Sequence, residues 1–418
     1  MNETKRKIGV AIATGALLLN AFVPLAMADT TIQISGNGSS SNNTANVDVN
    51  QSTTVVQNNT ANVTNNVDVD ADTGDNDAED NTGGDVSIET GDADVDVNVS
   101  NTLNSNSANV DCCQSGDTEV LIQGNGTHSD NDANLNLTTN TFVGQFNDAD
   151  VDNDVDVDAD TGDNDAKDNT GGDVSIETGD ASVKVSVSTT ANANWANVGS
   201  DGNGGDLSLR ILGNGSWSVN TINLDLDSSV VLVQDNYADV DNDVDVDADT
   251  GDNDAEDNTG GDVSIETGDA DVDVNVDNMV NFNWADVNCG CLFDDLLAKI
   301  DGNGTDSDND INATLSFNDN EEEDGSFQEN DADIDNDLAG HHGGIDADTG
   351  GNDNEDNTAE GDGDPSIETG DADVEVDVNN SGNVNVLGDA DFEFPSFDFD
   401  IEFSLSLSEL LGLLGLLG

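Results

Sequence analysis

Apolar and polar positions alternate strictly over long stretches of the chain, as in Val67-Asp68-Val69-Asp70-Ala71-Asp72 and Val95-Asp96-Val97-Asn98-Val99. Period two predicts β-strands with Val and Ala on one face and Asp, Asn or Ser on the other. Gly74, Gly83, Gly84 and Gly91 stand where the alternation breaks, which is where a sharp corner needs glycine's backbone freedom. The expected local unit is therefore a short strand, a corner and another short strand.

The pattern recurs on two scales. The segments Thr73 to Val99, Thr161 to Val187 and Thr250 to Val276 read almost alike, a degenerate copy begins at Thr349, and Ile-x-Gly-Asn-Gly occurs at Ile34, Ile122, Ile211 and Ile300, at spacings of 88, 89 and 89. An Ala in the pattern Asn/Asp-x-Ala-x-Val/Leu recurs every 15 to 17 residues, at Ala45, Ala61, Ala78, Ala93 and Ala108 in the first unit; Ile222 takes the first place in the third, and the fourth keeps only Ile311, Ala332, Asn354 and Ala372 at longer steps. No single rung can bury its Val/Ala face alone, but neighbours stacked ~4.8 Å apart can. The expected fold class is all-β, an elongated parallel β-solenoid with short rungs of 15 to 17 residues. Its segments run 1–28, a leader; 29–120, 121–209, 210–298 and 299–388, four repeat units of which the last is degenerate; and 389–418, a Phe/Leu-rich tail.

Composition narrows the partners. Lys5, Arg6 and Lys7 precede an apolar run from Ile8 to Leu25 that ends in Ala26-Met27-Ala28, the three-part pattern of a secretory signal peptide cleaved after Ala28. Its loss leaves 4 basic and 90 acidic residues, a formal charge near −86. Nucleic acid and anionic lipid would be repelled, so cations and basic surfaces remain. With 34% hydrophobic and 4% aromatic residues such a chain would ordinarily be disordered, and the strict periodicity argues against that.

Three units, Val56-Gln57-Asn58-Asn59-Thr60-Ala61-Asn62-Val63, Gly144-Gln145-Phe146-Asn147-Asp148-Ala149-Asp150-Val151 and Val233-Gln234-Asp235-Asn236-Tyr237-Ala238-Asp239-Val240, resemble the Gln…Asn-x-Ala-x-Val units of curlin. That resemblance implies strand-arc-strand rungs and fibre formation at a cell surface. Here Gln is confined to one place per unit and Asp replaces most of the polar set, so the likeness covers only a few residues of each unit.

Aligning consecutive Thr-Gly-Asp corners sets Asp72 against Glu89 and Asp75 against Asp92, and likewise Asp160, Asp163, Glu177 and Asp180, then Asp249, Asp252, Glu266 and Asp269. Carboxylates stacked about 5 Å apart repel by roughly 1 kcal/mol per pair even in water. A counter-cation or protonation would relieve this, and calcium, which takes six to eight oxygens in flexible geometry, suits such clusters; the alternative is a merely solvated acidic face. The corner is not an EF-hand, because Gly74 comes one place late and Lys167 falls where the last acidic ligand would be.

Cys112, Cys113, Cys289 and Cys291 form two clusters at equivalent places two units apart, and they are disulfide candidates in an oxidising compartment. With short rungs the clusters would be on the order of 50 Å apart, which restricts pairing to neighbours or to another chain. Trp195 and Trp284 each precede an inward Ala and are expected to point outward, while His341-His342, a pair that could ligate a transition metal, lacks a second cluster and reads as an insertion loop. Asn-x-Ser/Thr sequons are frequent, as expected by chance in an Asn-rich chain. Phe392, Phe394, Phe397, Phe399 and Phe403 set the tail apart as a cap or an assembly element.

Catalysis has little support: carboxylates are everywhere and histidine is scarce. The expectation is a secreted, non-enzymatic structural or adhesive protein whose partner is itself or a surface ligand, with no membrane span after leader removal. A calcium-dependent ligand-binding or ice-binding solenoid is the alternative, although ice binding favours flat Thr arrays and Thr here lies mainly at corners.

Overall fold

A computed structural model describes residues 6–14, 18–23, 29–110, 116–199, 205–288, 295–317, 326–339, 344–358 and 365–388. Two strands, β1 (Arg6–Thr14) and β2 (Leu18–Val23), come first. The first repeat unit then forms β3 (Thr30–Ser35), β4 (Asn42–Asp72), β5 (Val86–Glu89) and β6 (Ala93–Val110). The second forms β7 (Thr118–Gln123), β8 (Asp130–Asp160), β9 (Val174–Glu177) and β10 (Ala181–Gly199). The third forms β11 (Leu207–Leu212), β12 (Val219–Asp249), β13 (Val263–Glu266) and β14 (Ala270–Asn288). In the fourth the long strand is divided, giving β15 (Leu296–Asp301), β16 (Asp308–Phe317), β17 (Phe327–Asp337), β18 (Ile345–Asp348), β19 (Ser366–Glu368) and β20 (Ala372–Leu387).

Among the described residues every pairing is parallel, and each pairing within the repeats joins one unit to the next. Four sheets result: β3-β7-β11-β15; β4-β8-β12 with β16, β17 and β18 all on β12; β5-β9-β13-β19; and β6-β10-β14-β20, with β1 and β2 on the free edge of β6. Each unit is thus one layer, hydrogen-bonded to its neighbours residue for residue.

This corrects the expected rung. The hydrogen-bonding period is 88 or 89 residues, as in Val67↔Val155↔Val244, and not 15 to 17. The short period marks recurring Ala positions inside unbroken strands: β4 runs 31 residues through both Ala45 and Ala61. No Gly or Pro interrupts Ser39 to Thr73, so nothing turns the chain there. The expected direction of elongation, along the stack, is corrected as well. A 31-residue strand reaches roughly 100 Å along its own direction, whereas four layers at ~4.8 Å stack to only about 15–20 Å.

Within a layer the long strand faces β3 and β6 across a narrow interior. Ala45 and Val47 pack in one cluster with Ile32, Ile34 and Val49, while Val67, Val69 and Ala71 meet Val95, Val97 and Val99 in another. The inward set is not wholly apolar. Asn59, Asn65, Asn101 and Asn106 share the inward positions and are buried. In the fourth layer the register offset grows from 89 to 94, 99 and 102, each step falling across 318–325, 340–343 or 359–364. The insertions therefore leave the ladders in register.

Candidate functional site: carboxylate ladders and Thr-Gly-Asp corners

Each long strand ends in an Asp whose side chain closes the corner that follows. Asp72 accepts the Gly74 N–H at 2.7 Å and Asp160 the Gly162 N–H at 2.6 Å. Thr73 Oγ1 donates to the Gly91 carbonyl at 2.8 Å, and Thr161 and Thr250 repeat this at Gly179 and Gly268. Thr90 Oγ1 in turn donates to the Thr161 carbonyl and accepts the Gly179 N–H, which ties one layer to the next. The two Thr-Gly-Asp corners of a unit do meet, but side by side within a layer. The expected stacking of Asp72 on Glu89 and of Asp75 on Asp92 is corrected.

Like stacks on like instead. Asp72, Asp160, Asp249 and Asp348 form one ladder, and Glu89, Glu177, Glu266 and Glu368 another. Asp92 and Asp180 each accept a backbone N–H of the next layer, from Asp180 and Asp269. Asp75, Asp163 and Asp252 share a left-handed backbone at φ 56°, 53° and 51°. Corner glycine is required by close approach: a Cβ on Gly162 would lie 2.0 Å from the Gly251 carbonyl oxygen.

Burial raises the proton affinity of the inner members of the Asp ladder. Burial pushes Asp160 up to about 7, helped by Asp249, Asp163 and Asp72 and opposed by the Gly162 N–H. Burial likewise raises Asp249 to about 6, helped by Asp252, Asp348 and Asp247. Asp163 is also raised, chiefly by burial and then by Asp252 and Asp75. Among the described residues no group of three or more His, Cys, Asp or Glu side chains is arranged to hold a metal ion. The twelve carboxylates singled out in the sequence thus lie in single-file ladders or at backbone N–H groups.

Two lysines, Lys167 and Lys184, interrupt acid files. Lys167 stands between Glu79 and Glu256 and reaches Asp165 at 3.0 Å and Asp254 at 2.7 Å. Lys184 pairs with Asp273, and Arg210 with Glu119.

Sequence reasoning missed the buried amide ladders. Asn59, Asn147, Asn236 and Asn330 hydrogen-bond in file through side chains at 2.9–3.0 Å. They are cross-linked to a second file of Asn106, Asn194, Asn283 and Asn385. Gln57, Gln145, Gln234 and Gln328 make a third. The signal was parity: Asn59 lies two residues before Ala61 and so shares its face. The Gln and Asn of the curlin-like units are therefore the same residues that form ladders.

Trp195 and Trp284 lie in register on half-buried outward positions, their rings stacked at 5.1 Å and 5°, as the inward Ala196 and Ala285 require. Trp217, which sequence reasoning passed over, stacks on His128 at 6.2 Å. The four cysteines, His341-His342 and the tail phenylalanines lie outside the described residues. The strands preceding the two cysteine clusters, ending at Val110 and Asn288, are two layers apart. That is roughly 10 Å along the stack and not the 50 Å expected.

No family model, curated protein or solved structure matches the chain. No helix among the described residues is long and apolar enough to cross a membrane.

Proposed function

We propose that the chain is a secreted, non-enzymatic β-solenoid that serves as a structural or adhesive element outside the cell, its acidic faces screened by mobile cations. The observation that supports this best is the division of each layer: aliphatic and amide ladders inside, carboxylate ladders outside, all in parallel register. Such a surface attracts cations and basic partners and repels nucleic acid and anionic lipid. Single-file carboxylates favour a diffuse counter-ion layer over discrete calcium sites, because calcium needs oxygens converging from several directions. The leader pattern of residues 1–28 supports export.

Two measurements test the reading. Mass spectrometry of the protein recovered from intact cells should find it outside the membrane with Asp29 at its N-terminus; recovery from the cytosol with Met1 attached would refute export. Circular dichroism at constant ionic strength should show the same β signal with and without 1 mM calcium, whereas β structure that appears only with calcium would favour the ion-dependent module.

A further inference from the structure

We propose that the fourth layer of one molecule docks on the first layer of another, so that copies add head to tail along the stacking direction. The two ends are built to fit. At the fourth layer the interior is open: Val374, Val376 and Val378 are 46%, 41% and 43% exposed, whereas Val272, Val274 and Val276, one layer below in register, are at most 3% exposed. Val95, Val97 and Val99 of the first layer hold the same positions, so a second copy would continue the valine files that already cross three layer junctions.

Charge singles out that partner. Along the outward face of the long strand, the second, third and fourth layers stack Asp150, Asp239 and Asp333; Asp152, Asp241 and Asp335; and Asp154, Asp243 and Asp337. The first layer alone has Asn62, Thr64 and Asn66 there. Inside the molecule, Asn62 and Asn66 donate to the carboxylates of Asp150 and Asp154 at 3.1 and 3.0 Å. An incoming fourth layer would set Asp333, Asp335 and Asp337 against uncharged residues, so three like-charge contacts at that junction are absent.

The amide ladders carry a matching polarity. Each Asn in the file of Asn59 donates to the next layer, which leaves Asn59 Oδ1 buried with no donor, and Asn104 Oδ1 is in the same state at the start of its own file. Asn59 is 1% and Asn104 0% exposed while β1 and β2 lie along β6. In the inner layers the equivalent oxygens accept from the preceding layer, as Asn147 Oδ1 does from Asn59. Asn330 and Asn383 of another copy end those files with amide N–H groups that supply the missing donors.

The edges of β3, β4 and β5 carry no partner strand among the described residues, but β1 and β2 lie along β6. The docking face is therefore complete only in a chain that begins at Asp29. In that respect the inference rests on the leader reading, which the N-terminal mass measurement decides separately from assembly.

The test uses sedimentation velocity of the chain 29–418 at low ionic strength. Concentration-dependent polymers are expected. Asn62→Asp with Thr64→Asp and Asn66→Asp restores the acids of the other layers, and at ~4.8 Å in water each costs about four-fold in association, so roughly 80-fold together. Asp333→Asn with Asp335→Asn and Asp337→Asn in the same chain should restore assembly, which only contact between these two layers would do. Circular dichroism verifies that each variant is folded. A monomer at every concentration overturns the proposal, as does assembly indifferent to the triple substitution or unrescued by the second set. Assembly seen only after residues 389–418 are removed also overturns it, since the tail would then be the occupant of the open end.

Discussion

Asn147→Asp isolates what the buried amide ladders contribute, because it changes one NH₂ group to oxygen at constant shape. Asn147 is 3% exposed, donates to Asn194 Oδ1 and Asn236 Oδ1 at 2.9 Å each, and accepts from Asn59 at 3.0 Å and Asn106 at 2.9 Å. Aspartate keeps the accepted bonds and loses both donated ones, at ~1 kcal/mol each. It also places a carboxyl where ionisation is disfavoured, and a rise of about three in its pKa costs roughly 4 kcal/mol at pH 8. The expected loss at pH 8 is therefore about 6 kcal/mol. The folded pKa is raised, so this ionisation cost is absent below the unfolded value near 4, grows as pH climbs to about 7 and is constant above. At pH 5 the acid keeps its proton, donates one bond, and the deficit falls to about 1–3 kcal/mol.

The control is Asn62→Asp, exposed and opposite Asp150. It loses one weak bond and gains one repulsion of about 1 kcal/mol in water. Urea melts followed by circular dichroism at pH 8 and pH 5 compare the two without altering ionic strength. Equal midpoints for both variants at pH 8, or an Asn147→Asp deficit unchanged at pH 5, would refute the claim that the amide files are a dry, hydrogen-bonded interior.

Three further outcomes are expected. Because Asp160 and Asp249 are raised to about 7 and 6, the folded chain binds protons that the unfolded chain releases, so stability should fall as pH rises from about 4 to 7 and level off above; thermal midpoints that stay flat between pH 8 and 5 would contradict this, and Asp160→Asn should flatten the slope. Gly162→Ala should lower the midpoint by the equivalent of ~1–3 kcal/mol or more, because its Cβ meets the Gly251 carbonyl oxygen at 2.0 Å, and an unchanged melt would show that the corners are not closely stacked. Lys167→Glu removes contacts to Asp165 and Asp254 and restores an acid between Glu79 and Glu256, so it should destabilise by ~1 kcal/mol at low salt and by less at 0.5 M, as a salt titration of the melt can read.

Strand character, corner positions and the 88- to 89-residue unit were legible because alternation, glycine and near-identical segments are properties of the chain itself. The rung was misread because the Ala recurrence at 15 to 17 residues looks like a turn of a coil unless one asks what bends the chain between Ala45 and Ala61, and nothing there does. The carboxylates were found but wrongly paired for the same reason: Asp72 and Glu89 lie in one layer, whereas their ladder partners are 88 residues away. Asn59 and Asn65 were counted with the polar face although their parity with Ala61, Val63 and Val67 places them inside. Polarity is a weaker guide than parity here, because an amide that meets its own kind can be buried fully bonded.

That last property accounts for the near-identity of the units. In an in-register parallel stack every side chain meets its counterpart one layer away, so a residue is tolerated according to how it interacts with itself. Valine on valine buries area, and asparagine on asparagine satisfies a donor with an acceptor in endless file. Aspartate on aspartate repels, and it is confined to the wet face where the repulsion is about 1 kcal/mol in water and falls with salt. Some exceptions to identity fall where charge is the cost: Lys167 and Lys184 break acid files in the second layer, and Asn62, Thr64 and Asn66 remove three of them from the first. An end residue has a neighbour on one side only and so has the least intramolecular repulsion to relieve. Neutral residues placed at the end therefore make physical sense chiefly for a chain whose first layer is to be covered by acids from outside it.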